Sequence, residues 1–577
     1  MMDSRHDCES HMNNGYWSRF QRERITRRRA LALMGAGASG VALTVACGGG
    51  GNGNGDSGGT TPAADATQPT GAPKRGGRYQ GSVNGDWGTI DPVTSVGNAT
   101  GILPRMYNVL INRSNANPDV VFLDLAEKFE QVDAETYVFT IRPGVKIAPN
   151  TLGIPERDMD VQDVVKWVER VHADKNALAR VVFERIATAE ATGAAEFMMK
   201  TKGPYAYFVS RMGRALGGCI PPREFFEQNI SLANQGVGGG AYIITSFEDG
   251  GNASFDRNPN YYRKDEDTGE QLPYIDGIDV AHILDRQARR TAFLDKQIYD
   301  YAASTIDEAN ELTGSHQDLF VVRDPSFTFI SFSMNPQRDP WKDDRIRKAA
   351  MHALDRQQFV DLIVGKGEGK PDGLVHWPTG PYALDDAELE QLQGYDPKMS
   401  RELIKAATGE DTIRIKVTYP ISDIEFHDQH LPIFLKQMKE AGFEIDEDPK
   451  DFTGWLGEYT KVNYDASLSL NQIYETPEIA LDWQSSKGPQ GDGNFAAGIG
   501  VLEPSVDEAI LKSKQASSLE EHIKLVQDAQ RLVYEKGPSF LPIFSWYSYT
   551  MYWNFVKNPP QGVGDTGTFI STRWLDL

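Results

Sequence analysis

Five groups of residues in this sequence have types and spacings that could do chemistry. His427-Asp428-Gln429-His430 offers imidazole and carboxylate to a metal. Pro432 suits the first turn of a following helix, however, which sets both His in the turn before it and not on one helical face; they read as a surface pair. Glu444 to Asp451 is acid-rich, yet it lacks the Gly at position six and the Glu at position twelve of a Ca²⁺ loop, so a solvated loop is expected. Gly35-Ala36-Gly37-Ala38-Ser39-Gly40 has dinucleotide-loop spacing but follows three Arg where a strand is needed. Gly238-Gly239-Gly240 has no Lys-Ser/Thr after it and leads into a strand, which suits a crossover between domains better than a phosphate cradle. The fifth group is aromatic. Trp87, Trp377, Tyr474 and Trp483 offer flat apolar faces of the kind that sugar rings pack on, with Asn98, Asn471 and Gln472 as hydrogen-bond partners. The competing reading makes most of these Trp core residues. No G-x-S-x-G or H-E-x-x-H occurs, and paired carboxylates always exist somewhere among 81 acids, so a hydrolase is the weaker alternative to a non-catalytic binding protein without metal or cofactor.

The elements that position these groups are organised around Asn335 to Gly373. Ser326 to Met334 alternates aromatics as a strand, Pro336 and Pro340-Trp341 turn the chain, and Asp343 to Val364 is expected to form one long helix. Ile346, Ala349, Ala350, Ala353 and Leu354 give it an apolar face, with Arg345, Lys348, Asp355 and Arg356 on a solvated back. Further on, Asp396-Pro397 should start a helix that Gly409 stops, and Ile413, Ile415, Val417 and Tyr419 alternate as a strand. Ser518 to Glu521 is a capping box.

A strand ending in Asn, a Pro-Trp turn, an acidic pair, then Arg345-x-Arg347-x-Ala349 and Ala353-Leu354-Asp355-Arg356 resemble the signature of the family 5 extracellular solute-binding proteins, the peptide, dipeptide and nickel receptors of ABC importers. Arg142-Pro143-Gly144, Asp163-Val164, Arg257-Asn258-Pro259 and Leu272-Pro273-Tyr274 extend the likeness along residues 75 to 577. The resemblance implies a two-lobe α/β fold of the periplasmic-binding-protein kind, type II, with an extra subdomain inserted in the first lobe. It implies lobe I from 76–117, 241–325 and 545–577, a subdomain at 118–240, and lobe II at 326–544. It also implies a small-molecule or peptide solute, two permease and two ATPase partners, and a monomeric receptor. Peptide-binding members carry a Trp and, three residues later, an Asp for the ligand's α-amino group. Here those places hold Leu470 and Ile473, so the anchor is missing unless Glu475 or Asp482 replaces it. An oligosaccharide, or another neutral or cationic solute, competes with a peptide on that ground.

The chain carries 59 Lys plus Arg against 81 Asp plus Glu, a net charge of -22, which excludes the basic face that nucleic acid requires. Residues 1–46 read as a signal peptide: Arg27-Arg28-Arg29 resembles a twin-arginine motif, and Ala30 to Ala46 is too short and weakly apolar for a span of about twenty residues. Leu43-Thr44-Val45-Ala46-Cys47 resembles a lipobox, with Cys47 as the lipidated residue of an exported, membrane-anchored chain. Residues 47–75, rich in Gly, Asn, Thr and Pro, form no core and suit a flexible tether. With Cys8 and Cys47 so assigned, Cys219 stands alone and no internal disulfide is available.

Overall fold

A computed structural model describes residues 72–577 apart from 96, 114–120, 175–182, 184, 206–207, 213–217, 422–426, 460, 473–476, 487–499 and 560–569. The signal segment, Cys47, Ile473, Tyr474 and Glu475 lie outside the described residues.

The chain opens with β1 (Arg78–Val83) and then builds a separate antiparallel sheet. Its strands are β2 (Ala126–Gln131), β3 (Thr136–Ile141), β4 (Ile186–Ala191) and β5 (Glu196–Thr201), in the order β2-β3-β5-β4. Between β3 and β4 runs α1 (Val161–Ala173), whose Val161, Val164, Trp167, Val168 and Val171 are buried. Asp160 and Asp163 form a reciprocal cap at its start. Asp163 is also clamped by Arg157 at 2.6 Å, and Arg157 holds Glu224 at 2.7 Å, so the Asp-Val motif of this helix ties the subdomain together.

The chain returns through the glycine run. A Cβ on Gly240 would lie 2.5 Å from the Arg105 carbonyl, and one on Gly238 2.6 Å from that of Met106, so the run packs backbone on backbone and cradles nothing. β6 (Tyr242–Phe247), β7 (Ala253–Arg257) and β8 (Gly277–His282) then join β1 in the order β1-β8-β7-β6, with β1 and β8 parallel. α2 (Arg286–Leu294), β9 (Asp300–Ala303) and α3 (Ile306–Ser315) lead to β10 (Leu319–Met334).

After β10 the expected long helix is broken. α4 (Asp344–His352) ends at Ala353, and a new turn starts at Arg356 with Asp355 as its cap. The Asp355 carboxylate accepts from Gln358 N at 3.0 Å and its own N–H reaches Gln437 at 2.9 Å, so capping outcompetes helix continuation here. Arg356, expected on the solvated back, is 5% exposed. Its guanidinium donates to the carbonyls of Met351, Gln393 and Pro542, closing the end of α4 onto the core. Arg347, 4% exposed, does the same to the carbonyls of Trp341, Lys342, Lys536 and Gly537. Each such charge-assisted bond is worth about 1.5 to 3 kcal/mol.

The chief elements that follow are β11 (Gly369–Pro371), α5 (Pro397–Thr408), β12 (Ile413–Ile421), α6 (His427–Glu440), β13 (Phe443–Asp451), α7 (Phe452–Tyr459), β14 (Ala466–Gln472), α8 (Pro477–Asp482), α9 (Pro504–Lys514), α10 (Leu519–Lys536) and β15 (Phe540–Trp553). α5 is capped by Asp396, starts at Pro397 and stops at Gly409 with φ +83°, as expected. Two expectations fail. The acidic stretch at 444–451 is a strand, β13, because its carboxylates meet cations across the β12–β13 pair: Arg414 with Glu444 and Asp446 at 2.9 Å, Lys416 with Asp448 at 3.0 Å. The two His do not precede their helix: α6 begins at His427 and takes Pro432 inside.

Two long antiparallel strands, β10 and β15, unite the fold. The seven-stranded sheet has the order β9-β15-β10-β14-β12-β13, with β11 also on β15. The register between β10 and β15 shifts between Pro325 and Phe329. On one side of that shift β15 neighbours β9; on the other it neighbours β11, and β10 takes up β14. The sheet thus passes from one lobe into the next along two continuous strands.

Candidate functional site

Strand direction fixes which ends of the two lobes face each other. β14 is antiparallel to β10, and β12 and β13 run parallel with β14, so all three end toward the register shift. On the other side, Tyr299 N donates to Gln80 O at 2.8 Å and Gly81 lies beside Asp300, so β1 runs in the same sense as β9. β9 in turn is antiparallel to β15, which runs from the second lobe into the first, so β1 and β8 also end toward the shift. Carboxyl ends of parallel strands therefore confront each other from both lobes, the place where open α/β sheets take ligands.

At the first edge, the loop after β1 is pinned to the β6–β7 hairpin. Trp87 donates its indole N–H to Gly251 O at 2.8 Å, packs against Phe247, and is 3% exposed. Asn98 donates to Asp86 O at 3.2 Å and is half-buried. Beside them His282 Nε2 lies 3.4 Å from the exposed Asp86 carboxylate.

At the second edge, Asn471 and Gln472 end β14 opposite Phe329 and Thr328, at the register shift. Trp483 is 7% exposed and packs on Phe540 with ring centroids 4.5 Å apart. The burial of Trp87 and Trp483 leaves little of either ring for a solute. Asp482 is taken: it forms a buried ion pair with Lys514, both side chains under one tenth exposed. A carboxylate so engaged is not free to receive a ligand's amine.

Trp377 stands apart from these. Half-buried, it donates to Ser545 Oγ at 2.6 Å and tilts against Tyr547 at 5.3 Å. It borders a hinge network that sequence reading missed. Glu368 accepts from Arg323 Nε at 3.0 Å and from the Tyr549 hydroxyl, while its carbonyl accepts from Tyr547 N at 3.0 Å. The Arg323 guanidinium lies over the Tyr547 ring, 3.3 Å from its centroid. Burial would lower the Arg323 pKa, and the Glu368 charge outweighs it, so the net direction is upward. Burial and the bond to Glu368 push the Tyr549 phenol up. The signal for this network was the glycine spacing Gly365, Gly367, Gly369, which lets the loop lie on the two crossing strands. Among the described residues no group of three or more His, Cys, Asp or Glu gathers around a metal-sized position, and no helix is long and apolar enough to cross a membrane.

The family of bacterial extracellular solute-binding proteins, family 5, middle region, matches residues 121–492. The glutathione-binding protein GsiB of Salmonella typhimurium is 21% identical over 433 residues, spanning 70% of this chain and 77% of that protein. DppA from Helicobacter pylori, in complex with the peptide STSA, superposes with a TM-score of 0.72 at 17% identity, over 87% of this chain and 99% of its own. MoaA from A. tumefaciens R10, in complex with mannopinic acid, does so with a TM-score of 0.71 at 19% identity, over 87% and 99%. The two-lobe type II binding-protein architecture accounts for the facing strand ends and the two crossing strands. This chain belongs to the family 5 extracellular solute-binding proteins, the extracytoplasmic receptors of ABC importers for peptides and related solutes.

Proposed function

We propose that this receptor captures a short peptide-type solute between lobes that close about β10 and β15, and hands it to two membrane permeases while itself tethered by lipid at Cys47. The single observation that carries the capture is the confrontation of strand carboxyl ends across the register shift. The lobe limits we assign are 76–117 with 241–325 and 545–577, and 326–544, with a subdomain at 118–240; the shift between Pro325 and Phe329 supports the first boundary of lobe II. Relatives named for glutathione and a neighbour holding a peptide support the solute class. Trp377, Asn98, Asn471, Gln472, Tyr474 and Glu475 remain the proposed contacts, with Trp87 and Trp483 as supports behind them. The receptor acts as a monomer.

A second reading has its own support. With Leu470 and Ile473 where an amine anchor would stand and Asp482 bound to Lys514, Glu475 is left of the two replacement anchors that the sequence offers. An unpaired buried ammonium costs several kcal/mol. A neutral solute such as an oligosaccharide avoids that cost. Calorimetry on residues 75–577 separates the two: tripeptide binding that Glu475→Gln abolishes supports the peptide, whereas heat from a neutral oligosaccharide and none from tripeptides supports the sugar. For the tether, Cys47→Ala should move the exported protein from the membrane pellet to the soluble fraction.

A further inference from the structure

At the ends of β12 and β13 three large apolar side chains meet solvent: Ile421 is 60% exposed, Phe452 47% and Leu456 40%. They are neighbours by construction. Ile421 pairs in register with Asp451, Phe452 follows at the start of α7, and Leu456 comes one turn later. Across the register shift, two residues past the end of β8, Leu284 is 61% exposed. Scattered apolar residues on a surface need no account, but these occupy the two edges that confront each other.

The group on the second lobe is also held stiffly. Phe452 rests on Trp455, 5.6 Å between centroids, and Trp455 stacks on Tyr459 at 4.8 Å. The Trp455 indole donates to Ser467 Oγ at 3.1 Å, and the Tyr459 hydroxyl lies 3.1 Å from Ser333 Oγ, so both rings are tied to β14 and β10. Opposite them, Arg289 donates to the carbonyls of Ile283 and Leu284, each at 2.8 Å, which fixes the loop that presents Leu284. The nearest charge on the second lobe is Asp451, whose carboxylate accepts from Gly454 N at 2.9 Å, and beyond it Lys450 lies 3.4 Å from Asp448 and 3.5 Å from Glu458.

We infer that Ile421, Phe452, Leu456 and Leu284 are the specificity residues of the cleft and enclose an apolar group of the captured solute. The inference rests on capture between the lobes, and it narrows the solute to an amphiphilic one, such as a short peptide with an aliphatic or aromatic side chain. Closure over a wholly hydrophilic solute would press these side chains against polar groups, whereas closure over an apolar group removes apolar surface from water on both sides.

The test is calorimetry on residues 75–577 with two matched pairs, trileucine against triserine and n-hexyl maltoside against maltose. In whichever class binds, the apolar member should bind at least about tenfold tighter, as burial of a few methylenes requires. Phe452→Ser and Ile421→Ser should shrink that ratio to about threefold or less, by weakening the apolar member several-fold more than the hydrophilic one. Equal affinity within a pair would overturn the inference, as would heat from no member of either pair. A uniform loss for both members would also overturn it, because the side chains would then close on one another and not on the solute. Should only the maltosides bind, the peptide reading fails while the ratio of hexyl to plain maltoside still decides this one.

Discussion

Between Asn335 and Gly373 two arginines point inward and bond the backbone, whereas at the ends of β12 and β13 large apolar side chains meet solvent. Arg347 and Arg356 are buried and spend their donors on backbone carbonyls, and Trp341 is wholly enclosed. Ile421 is 60% exposed and Phe452 47%. The arginine motif that marks the family is spent on holding the second lobe together, while the residues proposed to choose a solute belong to none of the motifs quoted from the sequence. Family membership is therefore a statement about architecture, and the solute must be argued from the rim.

The strongest way to break this comparison is to mutate one residue from each side. Arg347→Ala strands four carbonyls and should cost about 3 to 5 kcal/mol in urea unfolding, whereas Phe452→Ser should stay within about 0.5 kcal/mol. Equal costs would erase the distinction. Next, Lys514→Met removes the ion-pair partner of the buried Asp482 carboxylate and should cost about 3 kcal/mol, while adding Asp482→Leu should recover most of it. A double variant as unstable as the single one would mean that the pair does more than neutralise itself. Glu368→Gln sharpens the comparison at the hinge. Loss of the charge facing Arg323 and Tyr549 should cost about 1 to 2 kcal/mol and broaden the distribution of lobe separations seen by X-ray scattering. The smallest effect lies far from the cleft. Hydrogen bonds from Arg78 hold Asp279 down at about 2. Because the folded pKa lies below the unfolded value of about 3.9, the stabilisation is present above pH 4 and fades as pH falls toward 2. Both side chains are about one third exposed, so Arg78→Met should lower the melting temperature slightly at pH 6 and not at all near pH 2.

What was legible in the sequence was local. Asp396-Pro397 with Gly409, the cap at Ser518 and the alternation in Ile413 to Tyr419 each specify an element within a few residues, and each forms. What failed depended on partners distant in sequence. Asp355 breaks the long helix with help from Gln437, Arg356 is drawn inward by Gln393 and Pro542, and the acids of β13 become a strand only beside Arg414 and Lys416. At the cleft, residue type identified aromatic candidates but not their surroundings: Trp87 and Trp483 are packed away and Trp377 sits at the hinge. Glu368 was invisible because its partners, Arg323, Tyr547 and Tyr549, come from strands on both sides of it in the chain. Phe452 was overlooked because one apolar residue after an acidic run carries no period.

A distance measured across the cleft tests whether solute is held between lobes that close on it. Asp86 and Asp451 are both exposed, one at each facing edge. In residues 75–577 the one native thiol, Cys219, is fully buried and its pKa is pushed up by burial, so spin labels on Asp86→Cys and Asp451→Cys would stand alone. Double electron–electron resonance on that variant, with and without a solute that raises the melting temperature, should show the label separation shorten and narrow on binding. A solute that binds while leaving the distribution unchanged would contradict capture between closing lobes.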